Sequence, residues 1–307
     1  MKDYRYPIIA LFVTLCIVLP AQAQTEGRTV IDQLGRNVVL SDNPVRIVSL
    51  APNITEIVFA LGQEHRLIGV TRFSDFPPEA KRIPSVGSYV NLDLEKIVSL
   101  RPDLCIATKD GNPREVASSL ESLQIPVYAV NPRNLDSVMD TIVEMGRLLN
   151  VTEKAGELVE NMRSRIERVD SMVSKTEHRP RVFFQIGVSP IVSVGTNTYI
   201  HELIVRAGGR NLAAGHVPYP RFSREQVLTL SPEVFIITSM EREKVFEKVK
   251  AEWRRWSDLP AVRNDRIILV DSNILDRPTP RMVDGLELLV KVIHPELFIS
   301  EAEGQKP

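Results

Sequence analysis

The chain has 307 residues, 43% of them hydrophobic and 25% charged, and its 38 basic and 39 acidic side chains leave a formal net charge of −1. That length suffices for about two domains of ordinary globular composition, and the even charge offers a nucleic acid or other polyanion no basic face to bind. Two cysteines exclude a disulfide-stapled scaffold, so stability has to come from core burial.

Lys2, Asp3 and Arg5 precede an apolar run from Ile8 to Leu19, and Ala21-Gln22-Ala23 follows it. This is the layout of a cleavable secretory signal over residues 1–23. The run falls short of the roughly 20 apolar residues that a membrane-crossing helix needs. Cys16 lies inside it, between Leu15 and Ile17, rather than at its small-residue end where a lipid-modified cysteine belongs. The mature chain is therefore expected in the periplasm, with Cys105, in the apolar stretch LCIAT, as its one thiol.

From residue 24 the chain reads as apolar strands alternating with helical periodicity. Val45 to Leu50 leads into Ile54 to Leu61, Leu104 to Ala107 into Val116 to Leu123, and Val127 to Val130 into Val138 to Leu149. Such alternation predicts an α/β fold, a parallel sheet flanked by helices. Asn53 and Thr55 offer a cap for the first helix, with Glu56 in its first turn, and Gly62 ends it. From Val151 to Glu177 apolar residues recur at intervals of three and four among dense charges (Leu158, Met162, Ile166, Val169, Val173), which predicts one long amphipathic helix. Arg179-Pro180 closes it, and Arg181 to Ile186 opens a new strand.

The pattern after that helix repeats the pattern before it. LEKIVSLRPDLCIAT, Leu94 to Thr108, lies over REQVLTLSPEVFIIT, Arg224 to Thr238. Glu95 falls on Glu225, Pro102 on Pro232 and Ile106 on Ile236, at one fixed offset of 130 residues. RIVSLAPNITEIVFALG, Arg46 to Gly62, recurs more loosely from Arg181 to Gly209, with a hairpin-like insertion around Pro190 to Gly195. The expected organisation is a signal over 1–23, a first lobe over 24–150, a rigid linking helix over 151–178 and a similar second lobe over 179–307.

Signs of catalysis are missing. The five histidines (His65, His178, His201, His216, His294) show no ligand spacing, and HELIV at His201 carries Val205 where a zinc-binding helix needs its second histidine. No phosphate-cradling loop or nucleophile elbow occurs, Gly208-Gly209 reads as a helix end, and one thiol holds no iron–sulfur cluster. The chain is not expected to be an enzyme. Proline- and glycine-bearing loops instead carry Phe73, Phe76, Tyr89, Tyr219 and Phe222, the aromatic material of a binding cleft.

RIVSLAPNITEIVFALG, GVTRFSDFPPEA, the LEKIVSLRPDLCIA copy, RVFFQIG, VPYPRFSREQVL and RPTPRMVDGLELL resemble the periplasmic cobalamin-binding proteins, within the larger group of siderophore, haem and cobalamin receptors of ABC importers. The resemblance runs from about Arg46 to about Leu297. It implies two lobes joined by one long helix and a monomer that hands a corrinoid to a permease dimer with its ATPase, the ligand being cobalamin or another metal-chelate and no cofactor being held. It places Phe73, Tyr89, Ile186 and Tyr219 against the ring faces, Asn273 and Arg277 at the polar edge, and Glu95 and Glu225 on the permease. At one wall Thr108 and Lys109 stand where those receptors present an aromatic. A ferric siderophore or haem is the alternative ligand, because Arg72, Lys109, Arg221, Arg277 and Arg281 lie in or near the same loops.

Overall fold

The computed structural model describes residues 27–238 and 244–298. The expected signal over 1–23 lies outside them. An antiparallel hairpin of β1 (Gly27–Ile31) and β2 (Asn37–Ser41) opens the described chain. The first lobe continues through β3 (Ile47–Ser49), α1 (Pro52–Ala60), β4 (Leu67–Gly69), α2 (Leu94–Ser99), β5 (Leu104–Thr108), α3 (Arg114–Ser122), β6 (Val127–Val130) and α4 (Leu135–Leu148). Next comes the linking helix α5 (Thr152–Val173). The second lobe begins with β7 (Arg181–Gln185), β8 (Ile191–Val192), α6 (Tyr199–Arg206), β9 (Arg210–Asn211), β10 (Arg221–Phe222) and α7 (Arg224–Leu230). It ends with β11 (Val234–Ile237), α8 (Lys244–Trp253), α9 (Pro260–Arg263), β12 (Ile267–Leu269), α10 (Ser272–Leu275) and α11 (Met282–Ile293).

Each lobe holds a four-stranded parallel sheet, in the order β4-β3-β5-β6 in the first and β9-β7-β11-β12 in the second. The orders superpose strand for strand, with β5 on β11. The repeat extends to the backbone. Arg101 and Ser231, each just before the proline of its copy, both hold φ of +49°. That left-handed conformation is uncommon away from glycine, and here it turns each helix sharply into its strand. The central strands are apolar on both faces, as strands covered by helices on two sides should be. Phe183, Phe184 and Phe235 are fully buried, and Phe183 packs against Phe235 with ring centroids 5.2 Å apart.

Several sequence expectations shift. The first helix is not capped by Asn53 or Thr55: Ala51 is its N-cap, without a side-chain bond, and Pro52 occupies the first position. Proline has no N–H to leave unsatisfied there, so no polar cap is needed. The Thr55 hydroxyl bonds Ser49 and Ser74 instead, and Glu56 lies beyond the first turn. The insertion around Pro190 to Gly195 bridges back from Val192 to Gly187, as a hairpin should, but its strand β8 also pairs with β10. The linking helix stops at Val173, four residues before Glu177, because no apolar residue continues the stripe and Thr176 returns its hydroxyl to the Val173 carbonyl.

α5 is fastened to both lobes. On α4, Gly146 meets Ala155 so closely that an added Cβ would lie 2.3 Å from the alanine methyl. On α11, Arg165 bonds Glu287 at 2.9 and 2.7 Å and also Asp284, and Arg206 of α6 clasps Asp170 at 3.0 and 3.1 Å. A 22-residue helix held along its length resists bending more than extended hinge strands do. Ligand is therefore expected to change the radius of gyration little. X-ray scattering with and without ligand checks this, and a large contraction would contradict it.

Candidate functional site

In a parallel sheet the loops beyond the carboxyl ends of the strands form the crevice where ligands sit. Phe73 follows β4, Ile186 follows β7, Tyr219 lies between β9 and β10, and Asn273 and Arg277 follow β12. Phe73 and Tyr89 meet edge to face with centroids 5.8 Å apart, and the Arg72 guanidinium lies 4.8 Å from the Phe73 ring centre. Phe73 stays 40% exposed and Tyr219 54%. An aromatic left this open on a well-anchored loop is apolar area in search of a partner.

The anchors are specific. The Asn112 amide donates to the carbonyls of Leu50 and Tyr89 at 2.7 and 2.8 Å and accepts from the Thr108 backbone at 2.7 Å, tying three loops of the first lobe together. Gly111, at φ +137°, sits against the Tyr89 ring, where a Cβ would come within 3.0 Å. In the second lobe Ser193 and Gly195 donate to the carbonyls of Pro220 and Pro218, one on each side of Tyr219. Only glycine fits at 195, since a Cβ there would fall 1.9 Å from the Val217 carbonyl oxygen. Nothing in the sequence patterning distinguished Asn112 or Gly195.

The lobes meet at a polar floor. Arg281 grips Glu56 with two bonds of 2.8 and 2.7 Å, and Arg277 bridges Glu56 at 3.1 Å and Asp75 at 2.8 Å. The Glu56 side chain is 3% exposed, those of Arg277 and Arg281 16% and 15%. Phe76 lies under the Arg281 guanidinium, 3.7 Å from ring centre to carbon. So Arg277, read as a polar edge for ligand, is held in an ion-pair network, and Phe76 belongs to the same joint. Phe222 turns inward against Phe183 at 5.3 Å and joins the second lobe's core. The Asn273 backbone donates to Asp271, the cap of α10. Ile186 is half-buried, with its N–H on the Val192 carbonyl. Thr108 is half-buried and Lys109 exposed beyond β5.

Tyr199 opens α6 and Asp276 follows α10 in the second lobe. Burial, reinforced by Asp276 and Tyr219, pushes the Tyr199 phenol well above its usual range. Burial, together with Asp110 of the first lobe and Asp276 of the second, raises Tyr219 too. Burial pushes the Asp276 carboxyl itself up to about 7; the Thr238 hydroxyl and Arg277 pull the other way, and Asp271 adds to the rise. An unfolded aspartate titrates near 3.8. Between the two values the folded chain keeps a proton that the unfolded chain releases, so stability falls by about 1.4 kcal/mol for each pH unit. Asp276→Asn is expected to match the parent protein near pH 4 and to melt progressively higher than it up to about pH 7. Melting curves from pH 4 to 8 check this, and a difference independent of pH would contradict it.

Glu95 and Glu225 lie away from these groups, exposed in the first turns of α2 and α7. Asp93 caps α2 and Ser223 caps α7.

With this geometry in view, residues 47–274 match the periplasmic binding protein family. The vitamin B12-binding protein of Vibrio parahaemolyticus is 31% identical over 252 residues, 81% of this chain and 90% of that one. The crystal structure of a periplasmic vitamin B12 binding protein of Vibrio cholerae aligns with a TM-score of 0.71 and 31% identity over 84% of this chain and 98% of that one. A periplasmic haem-binding protein from Roseiflexus sp. RS-1 aligns with a TM-score of 0.74 and 28% identity over 82% and 98%.

Proposed function

The chain belongs to the periplasmic binding protein family, and from that premise we propose that it is the substrate-binding component of an ABC importer, capturing cobalamin or a related corrinoid. It delivers that ligand to a permease dimer with its ATPase and performs no chemical step of its own. It works in the periplasm, exported by the signal over residues 1–23. The observation that carries this reading is the aromatic set at the carboxyl ends of two parallel sheets, the Phe73 and Tyr89 pair on one lobe and the half-exposed Tyr219 on the other. Flat side chains of this kind cover the broad apolar faces of a corrin ring, with Ile186 beside them and Asn273 and Arg277 near its amide arms.

Haem is the nearest competitor, since a haem-binding protein shares the fold. Haem propionates call for free cations, and the two guanidiniums at the interlobe floor, Arg277 and Arg281, are both paired with carboxylates. The test is the visible absorption spectrum of the protein purified from its own periplasm. A corrin spectrum is expected, and a haem Soret band would overturn the reading.

A further inference from the structure

The notable feature of the interlobe floor is its charge. Two guanidiniums converge there, which in most ligand clefts would mark the seat of an anion. Here both are already answered by carboxylates: Glu56 takes two bonds from Arg281 and one from Arg277, and Asp75 takes a second from Arg277. Two cations face two anions with the shared carboxylate almost fully buried, so the floor has no net charge to offer. The other cations of these loops, Arg72, Lys109 and Arg221, are exposed, so water and salt screen their charge.

We propose that Glu56 is the residue that sets the charge class of the ligand: by neutralising Arg277 and Arg281 it fits the cleft to an uncharged, amide-edged metal-chelate and excludes an anionic one. This rests on the reading of the cleft as a chelate receptor. Exclusion is physical. An anionic chelate reaching either arginine must displace a buried carboxylate, which then loses its partners in a poorly solvated place. An uncharged ligand disturbs no pair. Asp75 plays the same part for Arg277 alone, and because its side chain is 38% exposed its effect is the weaker. Glu56 acts through the arginines and is a positioning residue.

The experiment compares the parent protein with Glu56→Gln, which keeps the shape of the side chain, and with Asp75→Asn. Each is titrated with cyanocobalamin, an uncharged corrinoid, and with a ferric tris-catecholate, a polyanion. In Glu56→Gln the ratio of catecholate to cyanocobalamin affinity is expected to rise at least about tenfold, and the gain to shrink in high salt because freed guanidiniums act by charge. Asp75→Asn gives a smaller rise of the same sign, and it decides the matter alone if Glu56→Gln does not fold. An unchanged ratio in a folded variant overturns the role of Glu56 while leaving the corrinoid reading in place. A parent protein that prefers the catecholate overturns the corrinoid reading instead. A merely structural role for Glu56 would lower both affinities together and leave the ratio flat.

Discussion

Replacing Glu95 and Glu225 together by alanine is expected to abolish uptake and ligand-stimulated ATP hydrolysis while soluble ligand affinity stays at the parent value. The two glutamates are repeat mates, each in the first turn of a short helix that feeds through a proline-led turn into β5 or β11. Such a helix runs opposite to the strand it enters, so its first turn lies at the same end of the lobe as the carboxyl ends of the strands. Both carboxylates are exposed, one on the outer surface of each lobe, so a two-subunit permease would meet a matched pair. Each also suits its helix, because a carboxylate at an N-terminus is favoured by the helix dipole. The Glu225 carboxyl is held below the usual range by its own backbone N–H and the Ser223 hydroxyl. That local role predicts at most a small change in melting temperature, whereas docking predicts lost transport. Charges of this exposed kind govern encounter and register rather than ligand affinity. Transport at the parent rate would remove the docking role, and weakened ligand binding would move the pair into the cleft.

Tyr89→Ala and Tyr219→Ala should each weaken ligand binding by about tenfold, since an aromatic face on a flat partner contributes about 0.5–1.5 kcal/mol beyond its buried area and 1.4 kcal/mol is a factor of ten. The two residues lie on different lobes, with no hydrogen bond between them, so the double variant should lose the product of the two factors. Folding should be retained in both. Tyr219 is half-exposed, and its loop is held by backbone bonds at Pro218 and Pro220 that do not involve the phenol. Tyr89 is half-buried against Phe73 and gives up some packing, so its melting temperature should fall the more of the two. Isothermal titration of each variant checks the affinities, and parent-like binding in both would take these rings out of the pocket.

What the sequence made legible was local. Helix, proline turn and strand follow one another within fifteen residues of Leu94 to Thr108 and again of Arg224 to Thr238, so their repetition survives in the order of residue types. The long helix was legible in its spacing of apolar residues, except at its end, where Thr176 rather than Arg179-Pro180 marks the exit. The floor of the cleft was not legible. Glu56 and Arg281 are 225 positions apart and Asp75 and Arg277 are 202 apart, and pairs at such separations leave no period in a single chain. Arg277 and Arg281 could be read as cations near a cleft, but only their partners show that they are spoken for. Phe222 misled for a related reason: its place beside Tyr219 in the sequence put it in a loop, while the pairing of β8 with β10 turns its ring into the core.

Uptake of a corrinoid between two lobes of parallel sheet, against Phe73, Tyr89 and Tyr219 over a charge-balanced floor, is decided by calorimetric titration of the exported protein with cyanocobalamin. One site per chain is expected, with a Kd of about 1 μM or tighter and a negative heat-capacity change from burial of the aromatic faces. No heat of binding with cyanocobalamin, alongside saturable binding of haem or a ferric catecholate to the same preparation, would contradict it.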